Sequence, residues 1–302
     1  MKSCSYFERF LEEFDYQKEA KDAYLEVAKT LKNNSECLAM AERASNMLFE
    51  RPQNTGAIID ILASVAEKIG LPSYTVSFYI FALSTERLRG IWANKGMPDS
   101  VIYDSLKDFR VKSDECFLLT GIYGSYSDGW LIGWFRGERF AFGRLQFEMT
   151  ELSCDEDVAV GGRKLVKGDK VIGIHISRSA DSFSPEARLE AYKMAYNYFA
   201  PAFSGKEIPF TCDSWLLFPY NKKILEEGSN TVRFANEFKL LRSSESNVWI
   251  RFIFGVVYNG DPDSLPERTQ LQRGYKEYIK KGNKTGSGYG IFIFDGDHII
   301  NA

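Results

Sequence analysis

The chain has 302 residues, 44% of them hydrophobic, and a net charge of -3 from 38 basic and 41 acidic side chains. This length allows one large domain or two ordinary ones, each with a real core. The near balance of charge argues against a nucleic-acid-binding surface.

The cysteines and the apolar runs exclude further classes of protein. Five scattered cysteines without CxxC spacing argue against a disulfide framework or a zinc site, so we expect reduced thiols and no metal. The first segment, MKSCSYFERFLEEFDYQ, carries acids from residue 8 onward, which is untypical of a signal peptide. No apolar run is long enough to span a membrane. We therefore expect a cytoplasmic protein with no membrane and no nucleic-acid partner.

The first third of the chain is predicted to be helical. Apolar residues recur at helical spacing, and Pro or Gly separates the periodic segments. Pro98 followed by Asp99 or Ser100 predicts the start of a further helix that ends near Phe109. The other predicted helices cover 4–32, 35–49, 57–69 and 74–94. We assign residues 1–115 to a helical N-terminal domain.

From residue 116 the pattern becomes β-rich. The short apolar segments FLLTGIYG, WLIGWFRG, RFAFGRLQFEM and KVIGIHIS favour strands separated by turns. Ser184 and Pro185 predict a capped helix that ends before Pro201. The later elements are predicted as a strand at 209–219, a helix capped by Ser229, strands at 239–243 and 247–257, a helix at 267–281 and a strand at 289–295. The glycine-rich KTGSGYG segment, 284–290, is predicted as a hairpin connection.

The order of these elements predicts an α/β (α+β) fold. A mixed sheet flanked by helices occupies residues 116–302, and the helical layer precedes it.

Four segments then carry a resemblance to a known family. They are FAFGRLQFE (140–148), IHIS (174–177), the C-x-SWLL…SN…F…F block (212–238) and RTQLQRGYKEYIKKGNKTGSGYGIF (268–292). In this order they resemble bacterial acyltransferases that have an N-acyltransferase N-terminal domain and a GNAT-like C-terminal domain. The resemblance implies transfer of an acyl group from acetyl-CoA or another acyl-CoA to an amine.

The resemblance also implies where coenzyme A binds. In GNAT proteins the pantetheine arm lies between two diverging parallel strands, which would be 170–176 and 209–219 here. The phosphates would bind the loop that follows the first strand, SRSADSFS. This loop lacks the glycines of the usual GNAT loop, but it precedes a helix N-terminus. The implied cofactor-binding residues are Ile176, Ser177, Arg178, Ser179 and Ser184.

Two residues are candidates for the general base. Glu148 ends the LQFE segment, where a partly desolvated carboxylate can have a raised pKa; it could instead pair with Arg144 or be solvated. His175 lies in an apolar strand, where an imidazole suits general-base chemistry but is also compatible with a simple core role. The other histidine, His298, lies in the C-terminal tail.

Three more candidate catalytic residues lie in the second strand or directly after it. Cys212 and Ser214 lie two residues apart and therefore on one face of a strand. Cys212 could be a nucleophile or an inert buried thiol. Tyr220, by the resemblance, is the candidate acid for the leaving thiolate; a packing role is the alternative.

No nucleophile dyad is evident, so the sequence favours direct acyl transfer. The expected acceptor is an amine of a small molecule or a peptide, and the oligomeric state is left open. The alternative is a non-catalytic GNAT-like binding module that has lost coenzyme A recognition.

Overall fold

The structure is a computed structural model that describes the backbone of residues 2–205 and 207–301 and the side chains of 6–205 and 207–301. It contains two compact units, residues 1–140 and 141–302. The sequence placed the boundary at 115/116 because it assigned the segments after residue 115 to strands. The structure shows helices there, and these helices belong to the first unit.

The first unit is helical, as predicted. Gly70 and Gly121, both in the left-handed conformation that suits glycine, end α4 and α6. Asn34 and Asn54 accept hydrogen bonds from the backbone N–H groups of the first turns of α3 and α4. The helices are α1 (Lys2–Glu13), α2 (Lys18–Lys32), α3 (Ser35–Met47), α4 (Thr55–Ile69), α5 (Ser73–Asn94), α6 (Asp99–Thr120) and α7 (Asp128–Trp134).

Helix α5 is the centre of this unit because it has buried residues on all of its faces in the run from Thr75 to Ala82. Around it the core is aromatic: the rings of Tyr24 and Phe78 stack with centroids 4.6 Å apart. The Tyr24 hydroxyl, buried in this core, shares a hydrogen bond with Ser113 Oγ at 2.5 Å. The high aromatic content of the sequence is therefore used for packing here.

Asp128, at the start of α7, has an unusual environment. Burial raises the pKa of its carboxyl group to about 6, although hydrogen bonds from the Ser77 and Ser125 hydroxyls oppose the shift. Because the folded pKa lies above the unfolded value of 3.8, the folded state holds the proton more tightly. Asp128 therefore contributes stability that is complete below about pH 4 and is lost as the pH rises through about 6.

We expect Asp128→Asn to flatten the pH dependence of stability between pH 4 and 7. The difference between the variant and the wild type should be about 1–2 kcal/mol, less than the full linkage value because the side chain is partly exposed. Urea unfolding at a series of pH values measures it, with the exposed Asp60→Asn as control. Parallel profiles for wild type and Asp128→Asn would contradict the assignment.

The second unit is built around a mixed sheet, as predicted. The strands among the described residues are β1 (Arg139–Phe142, which crosses the boundary between the units), β2 (Leu145–Glu151), β3 (Val158–Val160), β4 (Arg163–Leu165), β5 (Lys170–Ile176), β6 (Ile208–Ser214), β7 (Lys239–Glu245), β8 (Gly286–Phe294) and β9 (Ile299–Ile300). Seven of them form the sheet: six run in the order β1-β2-β5-β6-β8-β7, and the seventh, β9, pairs with the end of β8. Strands β3 and β4 form a separate hairpin.

Five helices accompany this sheet. They are α8 (Pro185–Phe199), α9 (Asn221–Ile224), α10 (Asn230–Asn236), α11 (Ile250–Phe254) and α12 (Gln270–Lys280). The predicted caps are confirmed, because Ser184 accepts from the Ala187 N–H at the start of α8 and Ser229 accepts from the Val232 N–H at the start of α10. Helix α8 connects β5 to β6, which lie parallel, as a crossover requires.

Several predicted strands are wrong. FLLTGIYG contains the end of α6, and WLIGWFRG contains α7. Residues 247–257 form a 3-10 turn followed by α11, and the predicted strand 209–219 ends at Ser214 because Trp215–Leu217 is a 3-10 turn. These are short apolar runs, in which the pattern alone does not separate a strand from a buried helical turn.

The predicted strand 289–295 is confirmed, but it begins earlier and includes part of the glycine-rich segment. Gly286 and Gly288, predicted as part of a hairpin connection, lie inside β8 with Gly290, and β8 is paired between β6 and β7. A Cβ atom at Gly288 would lie 2.5 Å from the carbonyl oxygen of Leu217. The glycines therefore let the 3-10 turn after β6 pack directly on the backbone of β8.

Candidate functional site

The candidate site begins where two parallel strands separate. β5 and β6 pair only at Ile172–Phe210 and Gly173–Thr211. β5 nevertheless continues to Ile176 along β2, and β6 continues to Ser214 along β8. Within the described part of the chain, 174–176 of β5 and 212–214 of β6 are thus not paired with each other, and the two strands separate at this end.

A histidine and a carboxylate meet at the open end of β5. His175 Nε2 and Glu148 Oε1 are 2.8 Å apart, and their side chains are 33% and 28% exposed. The two residues are diagonal neighbours on one face of the β2/β5 ladder, in which Gln146 lies opposite His175 and Glu148 lies opposite Gly173. Both residues are predicted separately as candidate bases, and the structure brings them into one pair.

Gly173 lies opposite Glu148, beside this pair. A Cβ atom at Gly173 would lie 3.2 Å from Thr150 Cγ2, which is tight, and 3.8 Å from Glu148 Cγ, which is an ordinary contact. The same residue is the last of β5 to pair with β6, so the pair lies beside the point where the two strands separate.

The loop Ser177–Ser184 follows the open end of β5 and leads into α8. Ser184 caps the helix, Ser179 Oγ donates to Asp181 Oδ2 at 2.9 Å, and Arg178 is exposed. Among the described residues, the backbone N–H groups of 178–180 and 182–183 donate to no protein acceptor. Together with the positive end of the 15-residue α8, these donors make an environment that suits an anion.

The two candidate residues of β6, Cys212 and Ser214, take part in packing and in shaping the following turn. Cys212 is 1% exposed, and burial, with a smaller contribution from the charge of Asp213, raises the pKa of its thiol far above the ordinary value. A thiol that resists ionisation is a poor nucleophile, so the geometry favours the inert-thiol alternative. Ser214 Oγ accepts from the Leu216 N–H at 3.2 Å and so shapes the 3-10 turn.

Tyr220 lies in an aromatic cluster after this turn. Its ring stacks on Tyr278 with centroids 3.7 Å apart and meets the Tyr275 ring edge-on at 5.7 Å. Burial raises the pKa of the Tyr220 hydroxyl, and nearby Tyr278 adds to the shift. The phenol is therefore held in its protonated form.

Two arginines near the loop were not recognised from the sequence. Arg144, considered only as a partner of Glu148, donates to carbonyl oxygens of the loop. Arg188 is 1% exposed and pairs with Glu237. A signal was present in the sequence, because Arg188 shares the apolar stripe of α8 with Ala191, Tyr192 and Ala195, and a cation on such a stripe needs a buried partner.

Neither a metal-binding cluster nor a membrane-spanning helix is found among the described residues. Within residues 2–205 and 207–301, no cluster of three or more His, Cys, Asp or Glu side chains could hold a metal ion. In the same ranges, every helix falls short of the length or the apolar character needed to cross a bilayer.

Comparisons with known proteins agree with this architecture. The family model of the N-acyltransferase N-terminal domain matches residues 6–137, and that of the GNAT-like C-terminal domain matches residues 140–292. Among the curated proteins, no sequence relative matches the chain.

Solved structures with the same fold are known. An acyltransferase in complex with decanoyl-CoA and teicoplanin is 19% identical, with 94% of this chain and 86% of that chain covered and a TM-score of 0.74. An acyltransferase in complex with CoA and 10C-teicoplanin is 20% identical, with the same coverage and a TM-score of 0.75. At these identities the similarity establishes the fold.

The opened parallel pair and the mixed sheet define a GNAT-like α/β protein, and its class is that of the acyltransferases. More narrowly, the chain belongs to the family in which a GNAT-like C-terminal domain follows an N-acyltransferase N-terminal domain.

Proposed function

We propose that this protein is an acyl-CoA-dependent N-acyltransferase that transfers the acyl group directly to an amine of a small molecule or a peptide. The observation that carries the proposal is the separation of β5 from β6 after Gly173 and Thr211, with the His175–Glu148 pair at its edge. Two parallel strands that separate in this way can take the amide groups of a pantetheine arm between them.

The phosphates of coenzyme A would bind at the loop Ser177–Ser184. Five backbone N–H groups there donate to no acceptor among the described residues, and Ser184 orients the first turn of α8 toward the loop. The loop needs no glycine for its shape, because among the described residues Asp15 is the sole non-glycine residue with positive φ. This availability of donors favours the enzyme over the binding module without coenzyme A recognition.

His175 is the proposed general base. A carboxylate at Nε2 favours the tautomer with the proton on that nitrogen, which places the lone pair on Nδ1. As the amine nitrogen attacks the thioester carbonyl, its proton passes to the imidazole, and Glu148 stabilises the resulting imidazolium. The C–N bond forms, the C–S bond breaks, and the thiolate of coenzyme A leaves.

Tyr220 is the proposed acid for that thiolate. Its raised pKa keeps the hydroxyl protonated at neutral pH, so that it can donate a hydrogen bond to the leaving thiolate, which finally takes up a proton as coenzyme A thiol. Cys212 has no covalent role in this scheme, since its buried thiol stays protonated.

The solved structures that share this fold guide the choice of ligands. They hold decanoyl-CoA or CoA, and two of them also hold teicoplanin or 10C-teicoplanin. We therefore propose medium-chain acyl-CoA as a donor class to test first and a glycopeptide amine as a first acceptor.

We expect decanoyl-CoA and free CoA to stabilise the protein against heat. A ligand at 100 times its Kd adds about 2.7 kcal/mol to the free energy of unfolding, which corresponds to several degrees in Tm. Differential scanning fluorimetry with AMP as a control measures the shift. If neither ligand changes Tm at millimolar concentration, the proposed function is refuted.

A further inference from the structure

The loop Ser177–Ser184 has an unusual construction. It contains no glycine and, among the described residues, no left-handed backbone, yet it turns the chain from β5 into α8 within eight residues. A loop of ordinary residues has many accessible conformations, and each costs conformational entropy to exclude. Some other interaction must therefore fix this loop.

Arg144 bridges two points of the loop. Its Nε donates to the carbonyl oxygen of Ser177 at 3.1 Å, and its Nη1 donates to the carbonyl oxygen of Asp181 at 3.1 Å. The planar guanidinium thus joins residues four positions apart in the chain. Burial lowers the pKa of Arg144, and the carboxylate of Asp181 opposes that change.

Arg188 holds the other end of the loop. Its Nη1 donates to the carbonyl oxygen of Phe183 at 2.6 Å, while its Nε donates to Glu237 Oε1 at 2.9 Å. Glu237 is itself fixed by the Tyr192 hydroxyl at 2.7 Å. The loop is therefore anchored to α8 and to the end of α10.

The Phe183 side chain links the two arginines. Both guanidinium carbons lie 5.0 Å from the centroid of its ring, within cation–π range. The ring also packs on Phe234, with centroids 5.1 Å apart. Two cations and one aromatic ring thus form a single cluster beneath the loop, which we call the Arg–Phe–Arg clamp (Arg144, Phe183 and Arg188).

We infer that the Arg–Phe–Arg clamp positions the loop for the pyrophosphate of coenzyme A, in place of the glycines of a usual GNAT loop. The clamp binds three carbonyl oxygens of the loop, and the N–H groups of 178–180 and 182–183 are left without protein acceptors. The loop then presents donors to an anion with no ordering cost at the moment of binding. This inference rests on the proposed function.

Arg144→Lys tests the inference. Lysine keeps the charge, but its single ammonium cannot reproduce the fork that joins Ser177 and Asp181. We expect Kd for decanoyl-CoA to rise about tenfold, with Kd for decanoyl-pantetheine, which has no pyrophosphate, changed less than about twofold. Isothermal titration calorimetry measures both constants.

Arg163→Lys is the matched control. Arg163 is also half-buried and donates to a backbone carbonyl, that of Glu207, which lies outside the loop. The Arg163→Lys variant should bind both ligands with the Kd values of the wild type. Arg188 is unsuited to the main test because its burial makes unfolding a risk.

Each outcome has a clear meaning. If Arg144→Lys binds decanoyl-CoA as the wild type does, or loses both ligands equally, the clamp does not position the pyrophosphate site. If the wild type itself binds no decanoyl-CoA, the proposed function fails, and the inference fails with it.

Discussion

Replacement of His175 by glutamine should reduce acyl transfer by about 100- to 1000-fold, the usual contribution of a general base. Glutamine retains a hydrogen-bonding group beside Glu148 but cannot take up the proton of the attacking amine. The binding of decanoyl-CoA should change little, because the imidazole acts on the acceptor. Release of CoA thiol in the presence of an amine acceptor measures the rate, and calorimetry measures the binding.

The other histidine provides the matched control. His298 is largely exposed, at 81% of its side chain, and His298→Gln should retain wild-type activity. The effect of Glu148→Gln separates orientation from base chemistry: it should lower kcat less than His175→Gln, because the imidazole itself remains. A His175→Gln enzyme with wild-type kcat would remove His175 from the mechanism.

Replacement of Gly288 by alanine should destabilise the fold by about 3 kcal/mol, the upper part of the range for an added methylene in a packed interior. The new Cβ would lie 2.5 Å from the oxygen and 2.9 Å from the carbonyl carbon of Leu217, and 2.7 Å from Leu240 Cδ1. Two of these three atoms are backbone, so a rotamer change cannot relieve the overlap. Urea unfolding measures the loss.

Gly228→Ala is the control for Gly288→Ala. No atom lies within 4 Å of a Cβ built at Gly228, and its φ is not in the left-handed region. The same change there should leave stability unaltered or raise it by about 0.4–1 kcal/mol through the unfolded chain. Similar free energies of unfolding for the two variants would show that β8 tolerates side chains at its glycines.

The His175–Glu148 pair illustrates how far sequence reasoning reaches. Each residue is a candidate from the sequence because a carboxylate at a strand end and an imidazole in an apolar strand are chemically capable groups. Their separation of 27 positions in the chain does not reveal that they touch. That contact depends on the antiparallel register of β2 and β5, which makes them diagonal neighbours.

The loop before α8 illustrates the opposite case. From the sequence, the missing glycines are a departure from the usual GNAT loop. The structure shows that loop carbonyls accept hydrogen bonds from Arg144, which directly precedes β2, and from Arg188 of α8. The loop sequence does not display the first of these contacts, since Arg144 lies 33 positions before Ser177.

The sequence by itself determined the helical first unit, the mixed α/β second unit and the caps Ser184 and Ser229, and it selected Glu148 and His175 as the two candidate bases. These depend on periodicity and capping, which are local properties of the chain. Tertiary structure alone decided that the apolar runs after residue 115 are helical, that the glycines of β8 lie in the sheet, and that β5 and β6 separate beside His175. Those outcomes depend on which surfaces pack together, and packing between distant segments leaves no periodic trace in either of them.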